Sequence, residues 1–338
     1  MGHCKRHPMW MRCKWGATRE GKLVAAEVHI VADGGAYCYT TNKVLGNTTI
    51  TCTGPYEIPN VWVDVDGVYT NNPPSGAMRG FGAPQGAFAA EMQINKLAQA
   101  LGMDPVELRL KNLLREGSPT AMGTPLPGGV GLVEVTEQCA RAAGWVQTNS
   151  EWRMANHKSA NSQFVIRNLQ SAICRGIGFA VGFKNVGFSF GYQENCWAKI
   201  ALEGRKEIEE ATVYIGSADV GQGSHTAICQ MAADALDVPL KRVRLVAADT
   251  ATSPGSSGSA SASRTTFMAG NAIRSAAVAA LERWRTGERP AVAEYTYLAP
   301  PTTPFDPQTG SGTPNFAYGY VAPGVGVEVD TETGQLHG

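Results

Sequence analysis

Two segments rich in glycine and hydroxyl residues, each just before a predicted helix, hold the residues best suited to chemistry. The first contains Gly221, Gln222 and Gly223, between a predicted strand at 211–216 and a predicted helix at 227–236. Two glycines let the backbone approach a ligand closely. The free N–H groups and the dipole of a helix start favour an anion, usually a phosphate. The first segment therefore predicts an anion site.

The second segment, residues 253–266, precedes a helix predicted over 267–284 and adds hydroxyl groups and one arginine. Its candidate ligand-binding residues are Ser263, Arg264, Thr265 and Thr266. The arginine offers a planar fork of N–H donors that matches a phosphate group. Two anion sites at two helix starts suit a large ligand with several phosphates. The sequence therefore predicts a phosphorylated cofactor.

Composition and charge exclude several classes of partner. The chain has 338 residues, enough for two domains, and its 29 basic residues balance 29 acidic ones. No basic run stands out, so neither nucleic acid nor an anionic membrane surface is expected as a partner. No apolar stretch is long enough to span a membrane. The 8 cysteines are scattered without a CxxC pair, which favours reduced thiols and a cytoplasmic protein.

Hydrophobic periodicity predicts a mixture of strands and helices. Strands are predicted at 20–32, 61–69, 175–183, 197–202, 211–216, 291–298 and 325–330, and helices at 84–101, 104–114, 132–143, 227–236 and 267–284. Their irregular order favours an α+β fold over a doubly wound sheet. The polar stretch 148–170 is the best domain boundary, so two domains are predicted, 1–147 and 148–338.

The C-terminal residues predict half of a hairpin. The strand at 325–330 is followed by a turn at 331–334, and the chain stops at Gly338, where a partner strand should run back. A strand without that partner leaves an unpaired edge. We therefore expect the sequence to be an internal fragment.

Several collinear segments resemble the molybdenum-binding large subunit of the xanthine dehydrogenase / aldehyde oxidase family, the molybdenum hydroxylases. They are residues 70–85, 101–113, 219–226, 262–272 and the loop 303–319. The resemblance covers nearly the whole chain in the same order. It implies two partial molybdopterin-binding α+β domains with the cofactor held between them.

The resemblance also implies roles for individual residues. Arg79, Gly80 and Phe81 match the family's Arg-Gly-Phe-Gly loop and would lie beside the metal and the substrate. The Gly221–Gly223 loop and the Ser263–Thr266 segment would bind the pterin and its phosphates. Independently of the resemblance, the residues before the two predicted helices indicate anion binding by the same two segments.

The activity implied is hydroxylation of a small N-heterocycle, an aldehyde or a similar carbon centre with water-derived oxygen. The cofactor would be molybdopterin with molybdenum, in the cytosine dinucleotide form usual in bacterial relatives. Electrons would pass to [2Fe–2S] clusters and FAD on an Fe–S subunit and an FAD subunit of the same complex. Purine-specific relatives carry a Glu-Arg pair where Gly46 and Asn47 stand, which disfavours a purine.

Two family features have no counterpart in the chain. These are the Gly-Glu motif that supplies the general base near the end of the full subunit, and a Gly-Gly-Phe-Gly loop upstream. We therefore expect activity only with chains that supply the missing N- and C-terminal parts. The alternative is a non-catalytic molybdopterin-binding module.

A third hypothesis is a serine hydrolase, because residues 187–191 match the pattern GxSxG. Asp219 and His225 would then follow as acid and base. A nucleophile elbow needs a helix directly after the serine, whereas residues 192–202 have the pattern of a strand. The sequence therefore disfavours a serine hydrolase. Phe190, within the same five residues, is predicted to pack in the core.

Overall fold

The chain forms two compact units in a computed structural model that describes residues 4–145, 166–167, 173–188, 190–247, 249–253, 255, 258–306 and 308–338. The first unit comprises residues 1–184 and 319–338, and the second comprises residues 185–318. Helices make up 29% and strands 30% of the described residues, which confirms the predicted α+β class. The predicted boundary between residues 147 and 148 lies outside the described residues and stays a prediction.

The described residues contain thirteen strands and six α-helices. In chain order, the strands are β1 (Met9–Ala17), β2 (Leu23–Gly35), β3 (Asn60–Tyr69), β4 (Ile166–Arg167), β5 (Ile173–Phe179), β6 (Gly182–Asn185), β7 (Asn195–Glu203), β8 (Glu210–Ile215), β9 (Val243–Ala247), β10 (Ala291–Leu298), β11 (Tyr318–Val321), β12 (Gly324–Asp330) and β13 (Leu336–His337). The helices are α1 (Thr41–Thr51), α2 (Ala83–Leu101), α3 (Pro105–Asn112), α4 (Leu132–Ala142), α5 (Ser224–Leu236) and α6 (Gly270–Arg285).

The first unit contains a three-stranded sheet in the order β1-β2-β3. β1 and β2 are antiparallel, whereas β2 and β3 are parallel and are joined through α1. Val28, Ile30 and Ala32 of the central strand are fully buried, and the residues between them point to the other face. This period of two buries one face of the sheet and leaves the other outward.

Helices α2 and α3 begin and end within two residues of the predicted positions. Gly102 ends α2 with a φ of +62°, and its N–H donates to the carbonyls of Ala98 and Gln99. Asp104 caps α3, because its side chain accepts hydrogen bonds from the N–H groups of Val106 and Glu107 at 2.8 and 2.9 Å.

A buried ion pair joins these two helices. Glu91 of α2 accepts hydrogen bonds from Arg109 of α3 at 2.8 and 2.9 Å, from the N–H of Val181 at 2.8 Å, and from the Tyr56 hydroxyl. Arg109 is completely buried. Because removing one partner would leave a buried charge uncompensated, the pair fixes α2, α3 and Val181 to one another.

The last strands belong to the first unit. A four-stranded antiparallel sheet has the order β13-β12-β5-β4, and β6 pairs with β11. Leu336 and His337 pair with Val329 and Glu328. The expectation that β12 lacks a hairpin partner is therefore wrong, because a short return strand pairs with it.

The second unit is a four-stranded sheet, β10-β7-β8-β9, packed against α5 and α6. β8 and β9 are parallel, with α5 in the connection between them. The core between the sheet and the helices is apolar, with Ile200, Val213, Ile228 and Ile273 fully buried. A short π-helix, Thr265–Ala269, leads directly into α6.

Among the described residues, no helix is both long enough and apolar enough to span a membrane.

Candidate functional site

The loop between β3 and α2 turns through three successive residues with positive φ. The angles are +89° at Gly80, +50° at Phe81 and +93° at Gly82. The N–H of Phe81 donates to the carbonyl of Met78 at 2.8 Å. A phenylalanine in the left-handed region is strained, and such strain persists where the surrounding structure over-determines it, often at functional sites.

The main chain of this loop is held while its arginine side chain points outward. Gly82 lies so close to α1 that an added Cβ would overlap the Thr48 hydroxyl and the Val44 carbonyl. Arg6 donates to the carbonyl of Arg79 at 2.7 Å. The Arg79 side chain itself is exposed, and Phe81 is half-buried. The first unit therefore presents a cation on a rigid turn, and its contact with metal or substrate stays a prediction.

Asp33 supports the approach to this loop. Its carboxylate accepts hydrogen bonds from the Thr70 hydroxyl at 2.6 Å, from the Asn72 amide, and from the N–H of Gly35 at 2.8 Å. These bonds, chiefly the one from Thr70, lower the pKa of Asp33. The sequence analysis did not single out Asp33, although its position before two glycines was a signal for such a turn.

The Gly-Gln-Gly loop of the second unit joins β8 to α5. Gly221 and Gly223 have φ of +99° and +79°, and Gly223 lies at the N-cap of α5. No atom of the described chain lies within 4 Å of a Cβ added at either glycine. All three loop residues are exposed, and the neighbouring Val220 is 81% exposed. The loop therefore borders open space at the start of a helix.

The N–H groups of this loop are not free, contrary to the prediction. The Asp219 carboxylate accepts from the N–H groups of His225 at 3.1 Å, Gly221 at 2.8 Å and Gly223 at 3.4 Å. These bonds lower the pKa of Asp219, the bond from His225 most strongly. A short acidic side chain competes for the N–H groups at a helix start. The anion at this helix start is therefore the protein's own.

Gln222 folds back onto the same loop. Its amide nitrogen contacts the Ser224 hydroxyl at 3.1 Å and the Ala218 carbonyl at 3.4 Å, and its oxygen accepts from the N–H of Val220 at 2.7 Å. A ligand that binds here would have to exchange with these weak, exposed contacts.

The Ser263–Thr266 segment is also strained. Ala262 and Ser263 have φ of +48° and +56°, and the π-helix begins at Thr265. Ser263 and Thr266 are exposed, whereas Thr265 is half-buried. Two successive non-glycine residues in the left-handed region followed by a π-turn are typical of functional sites.

Arg264 is buried inside this segment and does not present an open donor fork, contrary to the prediction. Only 1% of the residue is exposed. Its guanidinium donates to the Glu194 carboxylate, to the Asn195 carbonyl at 3.0 Å and to the Ser259 carbonyl at 3.2 Å, and it lies 5.1 Å from the Phe188 ring. Arg264 therefore fixes the segment to the start of β7. A part in cofactor binding stays a prediction, through the positions it gives Ser263 and Thr265.

The geometry does not favour the serine hydrolase. Ser189 lies outside the described residues, and the chain after it enters β7 rather than a helix. The Asp219 carboxylate binds backbone N–H groups, and His225 Nε2 lies 2.9 Å from the Ser217 carbonyl. Phe190, predicted to pack in the core, lies 5.2 Å from Phe305, ring centroid to ring centroid.

Two matches with a known family cover most of the chain. The molybdopterin cofactor-binding domain matches residues 1–113, and a second family with the same description matches residues 146–289. The aldehyde oxidoreductase structure from Desulfovibrio desulfuricans superimposes with a TM-score of 0.81 at 28% identity, covering 98% of this chain and 36% of that chain. This chain belongs to the xanthine dehydrogenase / aldehyde oxidase family.

Two curated proteins illustrate the range of this family. The chain is 49% identical over 139 residues to the nicotinate dehydrogenase large molybdopterin subunit of Eubacterium barkeri, covering 41% of this chain and 33% of that protein. It is 32% identical over 367 aligned positions to a probable xanthine dehydrogenase subunit of Bacillus subtilis, covering 98% of this chain and 46% of that protein. The chain thus spans less than half the length of each relative.

The second unit of this family member has exposed polar side chains beside the open Gly-Gln-Gly loop. Open space lies over the two loop glycines, and the exposed Ser263 and Thr266 offer hydroxyls at the start of the neighbouring helix. α5 packs against the π-helix and against α6, where Met231 lies next to Gly270. The arrangement suits a ligand bound through side-chain amide and hydroxyl groups.

Proposed function

We propose that this chain is the molybdopterin-binding part of a molybdenum hydroxylase that acts on a small N-heterocycle, an aldehyde or a similar carbon centre. The observation that carries the proposal is the pair of molybdopterin cofactor-binding domain matches, in order along the chain. Bound to such a protein, a molybdenum–molybdopterin group supplies two-electron oxidation with oxygen derived from water.

Residues of both units would serve this activity. Gln222, Ser263 and Thr266 would bind the pterin and its phosphates, with Gly221 and Gly223 keeping the approach open and Arg264 holding the segment from inside. In the first unit, Arg79 would orient the substrate or stabilise negative charge that develops on it. Phe81 would form one wall of the substrate site. The strained turn through Gly80 would fix the Arg79 and Phe81 side chains.

An N-heterocycle is the substrate class that we favour. The nicotinate dehydrogenase relative is the more similar of the two curated proteins over the residues it aligns with, and its name identifies an N-heterocycle. Gly46 and Asn47 stand where purine-specific relatives carry a charged pair. Asn47 is buried and accepts a hydrogen bond from Lys184 at 3.4 Å. A nonpurine heterocycle is consistent with these residues.

The proposed complex contains further redox groups on other chains. Electrons would leave through [2Fe–2S] clusters and FAD on partner subunits. The cytosine dinucleotide form of the cofactor would add a second phosphate and a nucleotide. Ser263 and Thr266 are the hydroxyl donors that we propose for it.

The test is turnover by the complex that copurifies with this chain, in water enriched in oxygen-18 and with an artificial electron acceptor. We expect label in a hydroxylated heterocycle such as nicotinate, and less turnover of aldehydes. Arg79→Ala should lower kcat/KM by roughly 10²-fold. The control Arg205→Ala, another exposed arginine, should leave it unchanged.

Each outcome separates the hypotheses. A complex that contains molybdenum but hydroxylates neither a heterocycle nor an aldehyde would support the non-catalytic module instead. Turnover of aldehydes alone would keep the hydroxylase and exclude the heterocycle. Equal activity of Arg79→Ala and wild type would exclude Arg79 from the site.

A further inference from the structure

Three potential metal ligands lie together on the outward face of the sheet in the first unit. His29 is in the central strand β2, Asp64 lies opposite it in β3, and Asp66 follows two residues later on the same face. One ligand atom of each lies within 4.8 Å of the other two. His29 Nε2 and Asp66 Oδ2 are 3.5 Å apart.

These distances are close to those of a metal site. Zinc bonds of 2.0–2.2 Å to nitrogen and oxygen place neighbouring ligand atoms of a tetrahedron about 3.4 Å apart. The imidazole nitrogen and the Asp66 oxygen already have that separation. Asp64 is exposed, so its side chain is free to rotate and bring a carboxylate oxygen closer to the other two ligand atoms.

The Trp10 ring orients the His29 imidazole, and Glu27 pairs with the neighbouring cation, Arg12. The Trp10 ring meets the His29 ring edge-on, with centroids 5.8 Å apart, and limits its rotation. Arg12 of β1 lies beside His29 of β2, but the Arg12 guanidinium pairs with Glu27 at 3.6 Å. The two aspartates therefore keep their negative charge near the imidazole nitrogen.

A surface ion pair between His29 and Asp66 is the simpler explanation of the 3.5 Å contact. Such pairs contribute little to stability when exposed, and the side chains here are 32% and 61% exposed. An ion pair also gives no role to Asp64, which stands in register with the histidine. The three side chains bring one imidazole nitrogen and two carboxylates together on two paired strands, a donor set that a metal ion can use.

We propose that His29, Asp64 and Asp66 bind zinc or a similar divalent metal ion such as nickel or cobalt. Imidazole nitrogen favours zinc, nickel or cobalt over magnesium and calcium, which prefer more oxygen ligands. Three protein ligands leave at least one position for water. The ion would link β3 to β2 and stabilise the sheet of the first unit.

The test is titration of the full chain with zinc chloride, followed by calorimetry and by the unfolding temperature. We expect saturable binding of one ion per chain and a higher unfolding temperature with zinc. His29→Gln, Asp64→Asn and Asp66→Asn should each weaken zinc binding by roughly tenfold or more, as expected when the ligation of a metal ion is disturbed. Glu137→Gln, which removes an exposed carboxylate of α4 and leaves the sheet and the Arg12–Glu27 pair intact, should bind as wild type does.

Cobalt gives a second readout that folding alone would not change. Wild type and Glu137→Gln should develop the visible absorption of cobalt with nitrogen and oxygen ligands, and Asp66→Asn should not, although its circular dichroism stays native. Absence of saturable zinc binding would overturn the proposal. Equal affinity of wild type and His29→Gln, or an equal loss in Glu137→Gln, would also overturn it.

Discussion

At the scale of single residues, Lys184 is a partly buried base in the first unit. Its ammonium donates to the Asn47 side chain at 3.4 Å, and burial lowers its pKa from 10.5 to about 8. Desolvation disfavours the charged form, so folding favours the neutral amine. Stability should therefore depend on pH in the alkaline range.

The sign of this dependence follows from proton binding. Between pH 8 and 10.5 the unfolded chain binds more protons at Lys184 than the folded chain, so stability rises with pH across that window. The rise should be about 3 kcal/mol. Urea unfolding of wild type and Lys184→Met at a series of pH values measures it, since the methionine variant should lack this contribution. Identical pH dependence of the two proteins would contradict the assignment.

Local signals in the sequence predicted many of the elements and the candidate loops. The ends of α2 and α3 followed from Gly102 and Asp104, and β8 with α5 followed from a strand pattern before glycines. α1 was missed because threonine, asparagine and glycine have low helix propensity, and its contacts with α2 and β3 hold it. β9 is short and weakly alternating, so periodicity did not reveal it.

The partners of the candidate side chains could not be predicted in the same way. Glu194 lies 70 positions from Arg264, and no local pattern joins them. Both are buried, and the pair forms only when β7 and the turn before the π-helix pack together. Asp219, in contrast, stands within six residues of the N–H groups it binds, so its competition with a ligand could have been foreseen.

Among the elements, α1 and the turn before α2 are in close contact at Gly82, and a methyl group there tests that contact. Gly82→Ala should destabilise the protein by about 1–3 kcal/mol more than Gly117→Ala. Both glycines have positive φ, so both variants carry backbone strain, but only Gly82 faces atoms of α1. Chemical denaturation of the two variants gives the difference. Equal destabilisation would mean that the turn does not rest on α1.

At the scale of the whole molecule, each compact unit carries its own part of the proposed site. The first presents Arg79 and Phe81 on a rigid turn, and the second presents the exposed Gln222 with the exposed hydroxyls of Ser263 and Thr266. The buried pairs Glu91–Arg109 and Glu194–Arg264 hold the elements that carry these residues. Stability thus depends on the two buried ion pairs, and ligand binding would depend on the exposed residues that these pairs hold in place.

The central claim is that this chain binds a molybdopterin, and the molybdenum and pterin content of the purified protein tests it directly. The chain should be produced in a host that makes the cofactor and purified with the subunits that accompany it. We predict molybdenum and pterin in equal amounts, close to one per chain, with cytidine nucleotide released by acid. Gln222→Ala combined with Ser263→Ala should lower all three, whereas Gln230→Ala, an exposed glutamine farther along α5, should not. Folded wild-type protein without molybdenum or pterin would contradict the claim.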